Sequence, residues 1–248
     1  MAVIQLIRQK IMLMTARSLW ALLLAVLFGL SVQAAEVIQV DVSSVLTGRA
    51  VTTFSDGKLV PWAKGVDGGG KGDGYMTLEA SDRNGDTNAR ALPDDGWFKA
   101  TAVHPEVRLN FANADGKGFQ TRSVEKEGEF SFSVPAKRYQ RMMIFMTSAE
   151  GPSHLHFKLA YEDGRVTERE VLLPDYYNDA PAGETNVFSL AANLAKWDAA
   201  GRMAERDHHN IHGVELHPDP GKTLVSIKVG KTATGYLLFW GATGVTAD

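Results

Sequence analysis

Residues 129–146, with the sequence EFSFSVPAKRYQRMMIFM, decide the fold class. In the first part, Phe130, Phe132 and Val134 alternate with polar residues, and a period of two is typical of a strand with one buried face. Residues 142–146 are apolar without a break, as expected of a central strand in a sheet. The stretch therefore predicts strands of a packed β-sheet.

Similar segments lie on both sides of this stretch and are separated by short polar turns. The further predicted strands are 37–42, 58–60, 75–78, 106–111, 154–161, 166–173, 213–216, 224–229 and 236–240. About ten strands with turns at short intervals predict an all-β fold, an antiparallel β-sandwich or barrel. One short helix is expected at residues 189–199, where Leu190, Leu194 and Trp197 recur at helical spacing. Residues 207–212 are expected to form a polar loop before a strand.

The first 34 residues have the three parts of a secretory signal peptide. Arg8, Lys10 and Arg17 form a basic region, an apolar run of about 14 residues follows, and Val32-Gln33-Ala34 provides a small-residue cleavage signal. The run is shorter than the roughly 20 residues of a membrane span, although an uncleaved anchor is the alternative. We therefore expect residues 1–34 to be removed and residues 35–248 to form a single β-sandwich domain in the periplasm or outside the cell.

Charge and cysteine content restrict the function further. The whole chain carries a charge of −3; residues 1–34 hold three basic and no acidic residues, which leaves −6 for the remainder. A mildly acidic domain without a basic cluster argues against nucleic acid as a partner. The chain has no cysteine, so a lipoprotein anchor, a thiol nucleophile and a cysteine zinc site are all excluded.

The second half resembles a known family in the order of its segments. Residues 134–139 precede the apolar strand 142–146, residues 148–151 follow it, the next strand ends at 161–164, and residues 217–224 and 238–243 accompany the closing strands. In this order, residues 130–243 resemble galactose-binding-like jelly-roll domains, which occur as carbohydrate-binding modules and accessory domains of exported glycosidases. The resemblance implies a jelly-roll sandwich with an accessory or binding role, and it maps no binding residue onto this chain.

Seven histidines are present, and six of them raise the question of a binding site. The candidates for ligand contact in the predicted 207–212 loop are His208, His209, Asn210 and His212. His154 and His156 share one face of a predicted strand and are candidate ligands of a transition metal, provided that a third ligand converges on them. The alternatives are exposed histidines without a ligand and histidines that bond sugar hydroxyls. His217, at the far end of the strand, is expected to be structural.

Two further segments carry candidate site residues. Asp82, Asn84 and Asp86 offer oxygens at alternate positions, which fits either a structural calcium ion or a plain polar turn. In the loop 93–105, the candidates for ligand contact are Asp94, Asp95, Trp97 and His104. An aromatic ring can stack on a sugar while acids and histidine bond its hydroxyls; alternatively, Trp97 closes one end of the core.

These observations predict an exported, non-catalytic β-sandwich that binds a glycan or cell-surface polymer through loops at one end. No Gly-x-Ser-x-Gly motif is present, and carboxylate pairs for glycoside hydrolysis cannot be identified from sequence. A metal-dependent enzyme that uses the histidines and a structural protein of the cell envelope are the alternatives. Calcium is the single expected cofactor, and a glycan is the expected partner.

Overall fold

A computed structural model describes residues 35–68, 72–183, 186–232 and 235–247. The predicted signal peptide therefore lies outside the described residues. The strands are β1 Val37–Gln39, β2 Val51–Ser55, β3 Lys58–Val60, β4 Tyr75–Met76, β5 Trp97–Phe98, β6 Val107–Arg108, β7 Arg122–Glu125, β8 Gly128–Ala149, β9 Ser153–Tyr161, β10 Val166–Leu173, β11 Val187–Trp197, β12 Met203–Leu216, β13 Thr223–Thr232 and β14 Tyr236–Thr246. A 3-10 turn spans Ser43–Val45, and the α-helix α1 spans Leu78–Arg83.

The long strand β8 belongs to two packed layers. Its first half, residues 128–138, pairs with β13, which continues through β9 to β10. Its second half, residues 139–149, lies between β14 and β12, and β11 and β1 extend this second sheet. All of these pairings are antiparallel, so the predicted antiparallel β-sandwich is confirmed.

The second sheet is buried on both faces, which explains the unbroken apolar run at residues 142–146. Met142, Ile144 and Met146 join the core between the two sheets. Met143 and Phe145 join a second core, formed with residues of the 50–111 segment that covers the outer face of the sheet. The alternation at residues 130–134 is also confirmed, since only one side of that part of β8 faces a core.

Two expectations about secondary structure are wrong, and a third is right only for residues 84–85, which form a turn. Residues 189–199 do not form a helix but lie largely in β11, which has four register shifts against β12. Leu190 and Leu194 share a face because residues four apart do so in a strand as well as in a helix, and Trp197, an odd step further on, is buried after register shifts that change the face. Residues 207–212 form no loop but the middle of β12. The expected turn at residues 82–86 instead contains the end of α1, whose first turn is capped by the Thr77 hydroxyl.

In the part of the chain that the structure describes, no helix is both long and apolar enough to cross a membrane.

Candidate functional site

The predicted contact residues of β12 are mostly buried. His208 is exposed and has a positive φ of 79°. By contrast, His209, Asn210 and His212 are exposed by 0%, 2% and 0%.

His209 is fixed by a backbone bond and by two aromatic rings. Its Nδ1 lies 2.9 Å from the carbonyl oxygen of Leu194, so this nitrogen donates. Its Nε2 lies 3.4 Å from a carboxylate oxygen of Glu205, and its ring centroid lies 4.9 Å from those of both Tyr176 and Tyr177. Burial lowers the pKa of His209, so the ring is neutral near pH 7.

Asn210 and His212 fasten the segment 174–183 to the sheet. The Asn210 amide and the His212 Nε2 both donate to the carbonyl oxygen of Asn178, over 3.1 and 3.0 Å. The side-chain oxygen of Asn210 also accepts from the backbone of Asn193 at 3.1 Å. Burial lowers the pKa of His212, which keeps it neutral as well. These contacts give the two side chains a structural role.

A buried lysine on β11 organises a polar cluster that the sequence did not reveal. The Lys196 ammonium lies 3.0 Å from Asp67, 3.5 Å from Asp73 and 3.0 Å from Glu205, and it donates to the Tyr176 hydroxyl over 3.1 Å. Only 3% of the Lys196 side chain is exposed. We call these five residues, with Tyr177 and His209, the Lys196 network. It joins β11, β12 and two loops that are distant in sequence.

The electrostatics of the Lys196 network indicate a structural function. Burial pushes the pKa of Lys196 down, but hydrogen bonds and charges from Asp67 and Tyr176 outweigh it, so the net shift is upward and the ammonium stays charged. Burial raises the pKa of Tyr176, so the phenol stays neutral. Tyr177, which is half exposed, donates its hydroxyl to Glu205 over 2.8 Å.

The two candidate metal sites have other partners in the structure. His154 and His156 lie on the outer face of β9, and the ring nitrogens of His156 approach Glu168 at 3.2 Å and Glu170 at 3.6 Å. Among the residues with described positions, no group of three or more His, Asp or Glu side chains is placed to hold a metal ion. The His154–His156 metal site therefore stays a prediction without a third ligand.

Asn84 and Asp86 join the 82–86 segment to the β11–β12 hairpin. The Asn84 amide donates to Asp86 and to the carbonyl oxygen of Gly201, each over 2.7 Å. The Asp86 carboxylate also accepts from the indole of Trp197 at 2.8 Å. Asp82 is exposed in the last turn of α1. The calcium prediction for these residues is not tested by this geometry, which gives Asn84 and Asp86 a separate structural role.

The predicted contact residues of the 93–105 loop differ in accessibility. Asp94 accepts a backbone bond from the first turn of α1 over 2.8 Å, and Asp95 accepts one from Trp97 over 3.0 Å. His104 is only 5% exposed and stacks on Phe188, with ring centroids 5.7 Å apart. Trp97 is half buried. Trp97 packs against Arg108, which lines an accessible polar pocket.

This pocket, which we call the Arg108 pocket, has a volume of about 270 Å³. Its polar wall is formed by Gln39, Asp41, Arg108 and Asn110, and Trp240 lies at its base. The Arg108 guanidinium carbon lies 5.4 Å above the centroid of the Trp97 ring. This cation–π contact fixes the guanidinium at the rim of the pocket.

The Arg108 pocket has unused capacity for hydrogen bonds. Gln39 is largely occupied, since its side-chain oxygen accepts from Thr243 and from the Arg108 backbone amide, and one of its two amide hydrogens is donated to the carbonyl oxygen of Glu106. In the described part of the chain, the Arg108 guanidinium has no hydrogen-bond or ion-pair partner. The Asp41 carboxylate accepts from the Ser43 amide and also interacts with the Ser43 side chain; because a carboxylate offers about four acceptor sites, acceptor capacity remains.

Asn110 completes the set of available groups in the Arg108 pocket. Its amide nitrogen donates to the carbonyl oxygen of Phe119 over 2.8 Å, and its side-chain oxygen is available. The pocket thus offers one forked donor, on Arg108, and two acceptors, on Asp41 and Asn110. Sugar hydroxyls, which both donate and accept, are complementary to this set.

The sequence contained part of the signal for the Arg108 pocket. In the segment 106–111, inward residues alternate with outward ones, and Arg108 and Asn110 lie on the outward side. What the pattern could not supply was Asp41, which the fold brings to the same pocket from β1's C-terminal side. Lys196 gave a weaker signal, as a single charge between Ala195 and Trp197 in a buried segment.

Together these features define a two-layer antiparallel β-sandwich with a polar pocket on its covering segment. No protein-family model matches the sequence, and no curated protein matches it. Among solved structures, one match is TmCBM61 in complex with beta-1,4-galactotriose, at 13% identity and a TM-score of 0.27, over 52% of this chain and 69% of that chain. That neighbour is a galactose-binding-like carbohydrate-binding module, the class that the sequence resembles. A match of this strength carries no argument about individual residues or ligands.

Proposed function

We propose that this protein is an exported, non-catalytic β-sandwich that binds a glycan in the Arg108 pocket. The supporting observation is the set of available groups, one guanidinium fork and two oxygen acceptors, around a single pocket. Because vicinal hydroxyls of a sugar ring donate and accept at once, one ring can satisfy all three groups. Export rests on the sequence of residues 1–34.

The size and rigidity of the pocket also support a small saccharide. Its volume of about 270 Å³ is just below the ~300–1000 Å³ of sites that enclose drug-sized ligands. Arg108 is held by Trp97, and the backbone amide of Arg108 is held by Gln39 over 2.9 Å. Groups that are already ordered lose less conformational entropy when a ligand binds.

Calorimetric titration of residues 35–248 with a panel of oligosaccharides, including β-1,4-galactotriose, tests the proposal. We expect Arg108→Ala to weaken binding about 10- to 100-fold, since a hydrogen bond to a charged group contributes roughly 1.5–3 kcal/mol. Asp41→Asn should weaken saccharide binding less than Arg108→Ala does. Trp97→Ala should also weaken it, because the Arg108 side chain would lose the ring that holds it.

Arg202→Ala is the matched control, because Arg202 is an exposed arginine that pairs only with Asp198. The affinity of the Arg202→Ala protein for the saccharide should equal that of the wild type. The proposal fails if no member of the panel binds, or if Arg108→Ala and Arg202→Ala bind a saccharide equally well.

A further inference from the structure

The strand β10 forms an open edge of the first sheet. It spans eight residues, Val166–Leu173, and among the described strands it pairs only with β9. Its register with β9 runs from Val166 opposite Ala160 to Leu173 opposite Ser153 without a shift. A regular strand of this length with one unpaired edge is a template for pairing with another chain.

The backbone groups that face outward can be assigned from the turn before β10. The Tyr161 amide donates to the carbonyl oxygen of Arg165 over 2.9 Å, so these two residues form a hydrogen-bonded pair. In an antiparallel ladder such pairs recur at every second residue. The odd-numbered residues of β10 therefore bond to β9, and residues 166, 168, 170 and 172 direct their N–H and C=O groups outward.

These outward groups are nearly unoccupied. Within the described ranges, no backbone group outside the β9–β10 pair bonds to them. One side chain does so: the guanidinium of Arg169 donates to the carbonyl oxygen of Glu168 over 2.8 Å. An incoming strand would have to displace only this contact.

The other long edge strand, β11, is protected against pairing with another chain, and β10 differs from it in this respect. The strand β11 has four register shifts against β12 and carries the buried charge of Lys196. Bulges and inward charges are devices that prevent edge-to-edge pairing. The strand β10 has no bulge and no proline, and its one charge on the inward side is Arg169, which lies opposite Phe157.

The side chains of residues 166, 168, 170 and 172 lie on the exposed face of β10 and alternate in no simple way: apolar residues stand at the two ends and acidic residues in the centre. Val166 and Leu172, near its ends, are 52% and 54% exposed. Glu168 and Glu170 lie between them, and the side chain of Glu170 is 85% exposed. A complementary strand would place apolar residues at its ends and basic residues in its centre, because directly opposite side chains interact in antiparallel pairs.

A second copy of the same strand is a poor match. Only residues of the same parity can face each other, because the outward backbone groups belong to residues 166, 168, 170 and 172. In the central register Glu168 faces Glu170, and Arg169 faces its own copy. Like charges directly opposite each other destabilise a pair, so the charges select against self-association.

We propose that β10 is an interaction surface that accepts an extended, basic segment of another protein as an additional antiparallel strand. The main-chain bonds would come from residues 166, 168, 170 and 172, and the selectivity from the two glutamates. Glu170 contributes more of the selectivity, because Glu168 is already paired with Lys158 at 2.8 Å and with His156 at 3.2 Å, whereas Glu170 has only the longer contact with His156 at 3.6 Å. Arg169 limits access, because its guanidinium occupies the Glu168 carbonyl.

Titration of residues 35–248 with two synthetic peptides tests this proposal. One peptide alternates valine and lysine, and the other replaces each lysine by glutamate. We expect the lysine peptide to bind at least tenfold more tightly, to protect the amides of residues 168 and 170 from hydrogen exchange, and to weaken as salt rises. Glu170→Lys should reduce this preference, and Arg169→Ala should strengthen the binding of the lysine peptide.

A proline variant separates strand addition from simple charge attraction. Glu170→Pro removes an outward N–H and leaves the bonds to β9 in place, as an edge strand tolerates. Glu170→Gln removes the same charge but keeps this N–H, so the difference between the two variants measures the main-chain contribution alone. Glu170→Pro should abolish peptide binding and leave the melting temperature and saccharide binding close to those of the wild type. If this variant fails to fold, Glu170→Lys still tests the charge selectivity. Equal binding of both peptides, or a dimer of the free protein that Glu170→Lys disrupts, would overturn the proposal.

Discussion

Replacement of Lys196 by methionine is the sharpest test of the Lys196 network. Methionine keeps much of the length and apolar volume of lysine but removes the ammonium. Asp67, Asp73 and Glu205, whose side chains are 13%, 20% and 39% exposed, would then face one another without a cation. The Tyr176 hydroxyl would lose its donor as well.

The expected loss follows from the burial of the charges. Removing one partner of a buried ion pair costs about 3–5 kcal/mol, because a buried charge is left uncompensated. The partial exposure of the three carboxylates reduces this, so we expect about 3 kcal/mol. For a domain of this size, 1 kcal/mol shifts the melting temperature by roughly 2–4 °C, which gives about 6–12 °C in total.

Thermal unfolding at pH 7 and at about pH 4 measures this loss. Burial raises the pKa of Asp73 in the wild type and the charge of Lys196 opposes this rise, so the loss of the ammonium should raise the pKa of Asp73 further. A raised carboxyl pKa favours the folded state as the pH falls, because the folded state then binds more protons. The difference between Lys196→Met and the wild type should therefore shrink in acid.

Lys228→Met is the control, because its ammonium pairs with Glu129 at the surface. An exposed ion pair contributes at most about 1 kcal/mol, so this variant should melt close to the wild type. A Lys196→Met protein that melts within about 2 °C of the wild type, or a deficit that is the same at both pH values, would refute a stabilising network.

Three further results are expected. Gly96→Ala should lower the free energy of unfolding by about 2 kcal/mol or more, because Gly96 has a φ of +72° and a Cβ there would lie 2.4 Å from a backbone oxygen of Phe111; an unchanged urea midpoint would contradict this. Wild-type stability should fall as the pH drops below 6.5, since burial lowers the pKa of both His209 and His212, and a His209→Gln variant should show a shallower slope. If residues 82–86 bind calcium, millimolar calcium should raise the melting temperature and Asp82→Asn should abolish the increase; no shift would reject the site.

Local periodicity predicted the sandwich because each strand records which of its faces is buried. Phe130, Phe132 and Val134 alternate because one face of β8 meets the core there. The same rule failed at residues 189–199, because the bulges of β11 change its face several times. A period of two is interrupted at each bulge, and the spacing of four between Leu190 and Leu194 is common to one face of a strand and one face of a helix, so it did not distinguish them.

The candidate site was less predictable because its groups are far apart in sequence. Lys196 meets Asp67 and Glu205, and Arg108 shares a pocket with Asp41, so neither set gives a local pattern. Polar residues that were close in sequence were misleading for a related reason. The histidines of β12 lie together along the chain, yet the pleat and the packing give each of them a separate partner.

The segment that covers the outer face of the second sheet explains where the polar groups collect. Residues such as Val51, Tyr75 and Leu109 pack on that face and make it a second core. This covering segment is largely irregular, so many of its backbone groups and polar side chains have no partner within a helix or sheet. They need other partners where the segment borders the apolar surface. The Lys196 network satisfies them on the β11–β12 side. On the β14 side the boundary stays open as the Arg108 pocket, where Arg108, Asp41 and Asn110 retain unused hydrogen-bonding capacity. The pocket is thus the place in this covering segment where a ligand can supply the partners that the protein does not.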